Sequence, residues 1–230
     1  MRVNAAMLSV IKVIASGGVL TPGTSPDQAQ MTVEELQAAV DEAQRAGRKV
    51  AAHAHGSSGM KNAIRAGVHS IEHATLMDEE ASAMMKQQGV FMVPTLSALA
   101  TTAACRLGCG IPESALDKAK SMTKRHHVSF KNALRDGIQI AMGTDAGTPF
   151  NFHGENAQEL ERMVAFGMSP MQAILASTSA AAQLIGLQDQ VGTGEKGKLA
   201  DRLFLKANRI GPLDVLRDGS RISGVGRVGR

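Results

Sequence analysis

Short apolar runs alternate along the chain with longer amphipathic stretches. Val10-Ile11-Lys12-Val13-Ile14-Ala15 is rich in β-branched residues and stops at Ser16-Gly17-Gly18, which predicts a buried strand. A loop with Pro22, Gly23 and Pro26 follows. Thr32-x-x-Glu35 then forms a capping box, and Leu36, Ala39, Val40 and Ala43 recur at helical spacing until Gly47. Lys49–Gly56 predicts a second strand and residues 59–65 a short helix. The cycle repeats, with strands over 68–76, 90–96 and 139–144 and helices over 78–88 and 112–135. Ser169-Pro170-x-Gln172 opens a further helix with its cap, first-turn proline and N3 glutamine in place. From about Val191 the pattern changes to Gly-rich turns, short apolar pieces and a Gly/Arg tail.

Five strand-then-helix units imply an α/β fold with a parallel sheet. Two architectures satisfy the pattern: an open doubly wound sheet, and part of a (β/α)8 barrel with five of its eight units. Periodicity alone does not choose between them.

Composition narrows the class. With 230 residues, 43% hydrophobic and 20% charged, the chain is not disordered, collagen-like or disulfide-stapled. It has no run of about 18 apolar residues and no visible secretory signal, so a cytoplasmic globular protein is expected, away from membranes. The net charge of +4 arises from the segment between Lys206 and Arg230, which holds six basic residues against Asp214 and Asp218. The body is balanced, and the chain has no Trp or Tyr and only 6 Phe, so a nucleic-acid partner is not expected. Cys105 and Cys109 form a single C-x3-C pair and are expected to be packing residues of a reducing compartment.

The chemistry sits at strand ends. His53 and His55 end the second strand, His73 the third, and Asp145 follows the fifth, while Lys12 is inside the first. Carboxyl ends of parallel strands share one face, so imidazoles and a carboxylate from separate strands converge there. His, His and Asp are a ligand set for a hydrolytic zinc site with a position left for water. Each residue also has an ordinary reading. A strand His is commonly a hydrogen-bonded core residue, and of His53 and His55, which share a face, one can simply support the other. Asp145 in Gly143-Thr144-Asp145-Ala146-Gly147 could be a turn aspartate. Lys12, amid Val10, Ile11, Val13 and Ile14, is expected to be buried; otherwise it reaches outward from an edge strand. Gly192-x-Gly194-x-x-Gly197 matches a dinucleotide fingerprint by letters but is not set between a strand and its helix, so it reads as turns. His126 and His127 lie in the helix bearing Leu116, Ala119, Thr123, Phe130 and Leu134, one toward its apolar face and one toward solvent.

Lys12-Val13-Ile14-Ala15-Ser16-Gly17-Gly18, Ala52-His53-Ala54-His55-Gly56, Ser70-Ile71-Glu72-His73 and Gly143-Thr144-Asp145-Ala146-Gly147, in that order, resemble the metal-dependent amidohydrolase superfamily. The branch they are most similar to is the imidazolonepropionase-related one, with Xaa-Pro dipeptidases and ochratoxin-type amidases. The resemblance covers residues 10–201 and implies a partial (β/α)8 barrel of the metal-dependent hydrolase type. It also implies that Lys12 is carbamylated and bridges two metals, with His53, His73 and Asp145 as further ligands. Asp145 would be the catalytic acid–base, and His55 a neighbour in the substrate pocket. Phe152-His153-Gly154-x-Asn156-x-x-Glu159-Leu160 resembles the segment after the last barrel strand and makes His153 a substrate-pocket residue.

The chain also departs from the family. No His-x-His precedes Lys12, where only 11 residues stand, and three barrel strands and half of a small β-sandwich have no counterpart. Gly197-Lys198-Leu199-Ala200-Asp201 resembles the returning sandwich strand, but Arg202 is unusual there and the final residues, 223–230, do not fit the family's last strand. Residues 1–190 are therefore expected to be the partial barrel, and 191–230 a sandwich remnant with a basic tail, in a truncated member. The resemblance implies one or two divalent ions, zinc first, and hydrolysis of an amide-type C–N bond in a dipeptide, N-acyl amino acid or cyclic amide. It leaves a homo-oligomer open. The alternative is an impaired, metal-poor fragment that acts as a scaffold or association partner.

Overall fold

The computed structural model describes residues 10–106, 108–206, 213–217 and 219–226. Strands β1 (Val10–Ile14), β2 (Lys49–Gly56), β3 (Ser70–Leu76) and β4 (Phe91–Val93) form one parallel sheet in that spatial order. A doubly wound sheet reverses its strand order at a switch point, whereas a barrel advances one strand at a time. The 1-2-3-4 order is the barrel's, and the expected partial barrel is the fold.

The connecting helices are α1 (Val33–Arg45), α2 (Ser57–Arg65), α3 (Glu79–Gln88), α4 (Leu96–Ala104) and α5 (Glu113–Asp136), followed by α6 (Ala157–Ala165), α7 (Pro170–Ser177) and α8 (Ser179–Leu184). Both capping boxes form: Thr32 with Glu35 opens α1, and Ser169 with Gln172 opens α7. Each satisfies two amides that the first turn leaves without helical partners.

Alternation along the strands sorts the two faces. Val13, Val50, Ala52, Ala54, Ile71 and Met92 are buried against a helix layer that includes Leu36, Val40, Met60, Ile64, Met85 and Phe130. The opposite face is concave. There the register aligns Ile14 with His53 and His53 with Glu72, and Lys12 lies two residues before Ile14. Phe91, Val93 and Ala141 form a separate small apolar cluster, covered by Ala180, Ala181 and Leu184.

Four expectations are corrected. The fifth strand is reduced to a single parallel bridge, Ile140 beside Met92, because residues 141–145 turn away into the Asp145 loop. The strand expected over 90–96 ends at Val93, where Pro94 has no amide to give a ladder and Thr95 adopts φ 49° to start α4, a helix the pattern did not predict. The returning strand is not 197–201 but β5 (Arg202–Leu205), which pairs antiparallel with β6 (Ile222–Gly226); β6 takes in residues 223–226 of the stretch that does not fit the family's last strand. Residues 227–230 lie outside the described residues. Cys105 and Cys109 are joined by a disulfide, not packed as free thiols, since the turn after α4 brings their Cα atoms to 6.4 Å.

Gly56, at the β2–α2 junction, approaches backbone closely: a Cβ there would lie 2.7 Å from Asp27 Cα and 2.8 Å from the carbonyl oxygens of Pro26 and Asp27. Backbone cannot swing aside as a side-chain tip can. Gly56→Ala is expected to cost about 1–3 kcal/mol of stability, read as a lower urea midpoint with an unchanged slope.

Candidate metal centre

The carboxyl ends of β1, β2 and β3 open into one cavity of about 290 Å³, lined among others by Lys12, His53, His55, His73, His126 and Asp145. Lys12, His53, His73 and Asp145, singled out from four separate segments, thus meet in one place.

The three imidazoles form a tight cluster. His53, His55 and His73 have ring centroids 4.7 Å apart in every pair, with His55 and His73 stacked at 18° and His53 edge-on to both. Each offers a ring nitrogen within 4.8 Å of the other two. His53 and His55 face the cavity together by strand alternation. His73 is different, because it directly follows Glu72, whose face it should oppose. The backbone resolves this: His73 and Ala74 adopt φ 71° and 49°, and the β2–β3 register shifts between Ala54 and Gly56. Such left-handed conformations are costly for residues with a Cβ and persist only where surroundings impose them.

Those surroundings are visible. Nε2 of His126, on α5, donates to the His73 carbonyl at 3.0 Å. Ser129 Oγ, one turn along, donates to the Thr75 carbonyl at 2.8 Å and accepts from the Met77 amide at 3.2 Å. The rings are fixed separately. Nδ1 of His55 lies 2.8 Å from Thr75 Oγ1, and Nδ1 of His73 lies 2.6 Å from Thr95 Oγ1. Hydroxyls at Nδ1 favour the tautomer that leaves Nε2 for an ion.

Electrostatics keeps the rings neutral, as metal ligands must be. Burial holds His73 and His55 well below the usual imidazole range, and the neighbouring imidazoles and Lys12 push the same way. His53 is lowered mainly by burial, against a raising contribution from the Gly17 carbonyl. His126, buried completely, is lowered to about 4 by desolvation and then by His127. Lys12 departs from expectation. It is exposed, because β1 turns it into the open cavity mouth and not into the core. The protein wall still desolvates the ammonium and lowers its pKa, with Glu72 and Asp145 opposing.

A buried His with a lowered folded pKa contributes stability that is present above the unfolded value near 6.5 and lost as pH falls through the folded one. For the metal-free chain, urea unfolding at pH 4.5 against pH 7.5 is expected to show about 2–3 kcal/mol lost through His126. His126→Gln should remove that component of the acid sensitivity.

Asp145 lines the same cavity with φ 53°, in a loop tied by Asn151 Nδ2, which donates to the carbonyls of Thr144 at 2.7 Å and Asp145 at 3.1 Å. It stands outside the three-imidazole cluster but close enough to bear on Lys12, His53 and Glu72 electrostatically. His55, expected as a pocket neighbour, is as near to His53 and His73 as they are to each other. His153 is exposed and does not line the cavity; its Nε2 lies 3.5 Å from where a Gly147 Cβ would sit.

Sequence reasoning missed the supporting residues. Glu72, lifted in pKa by burial, accepts from Ser70 Oγ at 2.6 Å. Thr75 and Thr95 carry no periodic signal, and their partners lie 20 and 22 residues away. Glu159 was visible only as a letter in the segment after Asp145. It is completely buried, with its carboxyl pushed up to about 7 by desolvation, and it accepts the Leu96 and Ser97 amides at 2.7 Å each.

The donor set, nitrogen-rich and neutral with hydroxyl support behind it, suits zinc or a similar divalent ion. Its setting, at the carboxyl ends of barrel strands, is that of barrel hydrolases. The chain belongs to the amidohydrolase family, whose model matches residues 1–224. It is 35% identical over 223 residues to an ochratoxinase of Aspergillus niger, covering 96% of this chain and 45% of that one. It superposes on the crystal structure of a Xaa-Pro dipeptidase with bound methionine in the active site, with a TM-score of 0.88 and 40% identity, over 95% of this chain and 53% of that one. A prolidase complexed with N-methylphosphonate-L-proline is similar at a TM-score of 0.88 and 31% identity, over 95% and 53% of the two chains. The chain spans about half the length of the relatives it matches. Among the described residues, no helix is long and apolar enough to cross a membrane.

Proposed function

We propose that this chain carries the metal-binding half of an active site that hydrolyses an amide-type C–N bond in a small dipeptide, N-acyl amino acid or cyclic amide. The observation that supports it most is the meeting of the three imidazoles with Lys12 and Asp145 in one cavity. His53, His55 and His73 would hold a divalent ion, zinc by preference. Lys12, as a carbamate formed from its neutral amine and carbon dioxide with loss of a proton, and Asp145 would add oxygen donors. When bound, the ion supplies Lewis acidity toward water and the amide carbonyl. Asp145 takes the proton of the attacking water and passes it to the departing nitrogen, the general acid–base work that needs a carboxylate at the cavity mouth. The threonine hydroxyls keep the imidazoles aimed, and the apolar wall of Val19, Ala98 and Leu99 holds the substrate's aliphatic part.

The test is a panel of dipeptides and N-acyl amino acids incubated with the zinc-loaded chain, with the released amine measured by chromatography. The reading expects cleavage that a chelator stops and zinc restores. Zinc-loaded chain that cleaves none of the panel would favour the scaffold alternative.

A further inference from the structure

Glu159 is unused by the chemistry above, yet it is one of the most completely buried charged residues of the molecule. It enters from α6, and its two carboxylate oxygens accept the first two amides of α4 separately, Oε1 from Leu96 and Oε2 from Ser97, at 2.7 Å each. Thr95, the N-cap of α4, makes no side-chain cap for its own helix and sits at φ 49°, a conformation unfavourable for a β-branched residue. Elsewhere in this chain, Thr32, Asp78 and Ser169 accept amides of the helices they open. Thr95 instead meets His73 Nδ1 at 2.6 Å. Glu159 does the capping that Thr95 forgoes.

We propose that Glu159 is a positioning residue for the metal centre: by capping α4 in place of Thr95 it holds Thr95 left-handed, so that the threonine hydroxyl sets the tautomer and aim of His73. The inference rests on the reading of His73 as an ion ligand, but its first link, from Glu159 to the His73 ring, exists without an ion. Gln at 159 presents one acceptor and one N–H donor to two amides, so one contact becomes repulsive. Thr95 is then free to relax to negative φ and cap α4 itself, and Nδ1 of His73 loses its partner.

The experiment uses the full chain with zinc added against a competing chelator dye, together with imidazole ¹⁵N spectra of the metal-free chain. Glu159→Gln should weaken zinc about 10–100-fold, the usual loss when a ligand's hydrogen-bonded support is removed. It should also shift the His73 ¹⁵N signals in the direction that Thr95→Val shifts them, while Thr95→Ser, which keeps the hydroxyl, stays near wild type. Because Glu159 acts through Thr95, adding Glu159→Gln to Thr95→Val should cost no further affinity. If Glu159→Gln fails to fold, Glu159→Asp, too short to reach both amides, should give the same pattern at smaller size. A lowered unfolding midpoint with unchanged zinc affinity and His73 signals would overturn the proposal. So would a Glu159→Gln loss that is the same size in the wild type and in the Thr95→Val variant. A wild-type chain that binds no zinc, but whose His73 signals respond to Glu159→Gln as described, would refute the metal reading and leave the positioning link standing.

Discussion

Asp145→Asn is expected to lower amide hydrolysis about 10²- to 10⁴-fold, the range that a positioned acid–base group contributes. Asparagine matches the shape of the carboxylate and keeps an oxygen toward the cavity, but cannot take up a proton near neutral pH. The loop should survive, since Asn151 holds it through the backbone carbonyls of residues 144 and 145 and not through the Asp145 side chain. Zinc retention should survive as well, because the three imidazoles remain. The loss should therefore fall on kcat and leave KM nearly unchanged, the signature of an interaction made in the transition state alone. Undiminished kcat in this variant would remove Asp145 from the proton path.

His73→Ala should abolish zinc-dependent behaviour. The substitution takes one of three nitrogen donors, and the one whose aim is most elaborately enforced, by Thr95 at the ring and His126 at the backbone. For a ligand at about 100 times its dissociation constant, binding stabilises the folded chain by about 2.7 kcal/mol. In a domain of this size that corresponds to a rise in Tm of about 5–10 °C. Differential scanning calorimetry should show this rise for the wild type on adding zinc and no rise for His73→Ala. The metal-free variant should remain folded, because alanine keeps the backbone carbonyl that His126 holds and leaves no charge unpaired. An equal zinc-induced rise in both proteins would place the ion elsewhere.

Much of the site is legible in the sequence, and for physical reasons. Strand ends in a parallel α/β fold share a face, so His53, His55, His73 and Asp145 can be assembled from their positions after apolar runs. The capping boxes at Thr32 and Ser169 are local chemistry and form as written. Periodicity does not encode the choice of barrel over open sheet, because strand order is a long-range property; in the sequence that choice is carried by the four family-like motifs alone. Lys12 misleads because an apolar neighbourhood in sequence says nothing about whether the opposite face of the strand is wet. The fifth strand is reduced to one bridge because, after Ile140, the Met142 amide bonds to the Ala176 carbonyl of α7 and not to a strand, and the chain then turns through Gly143 and Thr144 to Asp145. The Thr95 and Glu159 supports are illegible for the same reason as the disulfide: each depends on segments meeting at a geometry that only the folded backbone creates.

Whether these imidazoles grip a metal ion is measured most directly on the purified chain. Equilibrium dialysis of the purified chain against zinc, followed by elemental analysis, addresses it directly. At least about one zinc per chain is expected, released on acidification as the imidazoles take up protons and absent from His73→Ala. Less than about a tenth of an equivalent in the wild type, under conditions where the chain is folded, would contradict it.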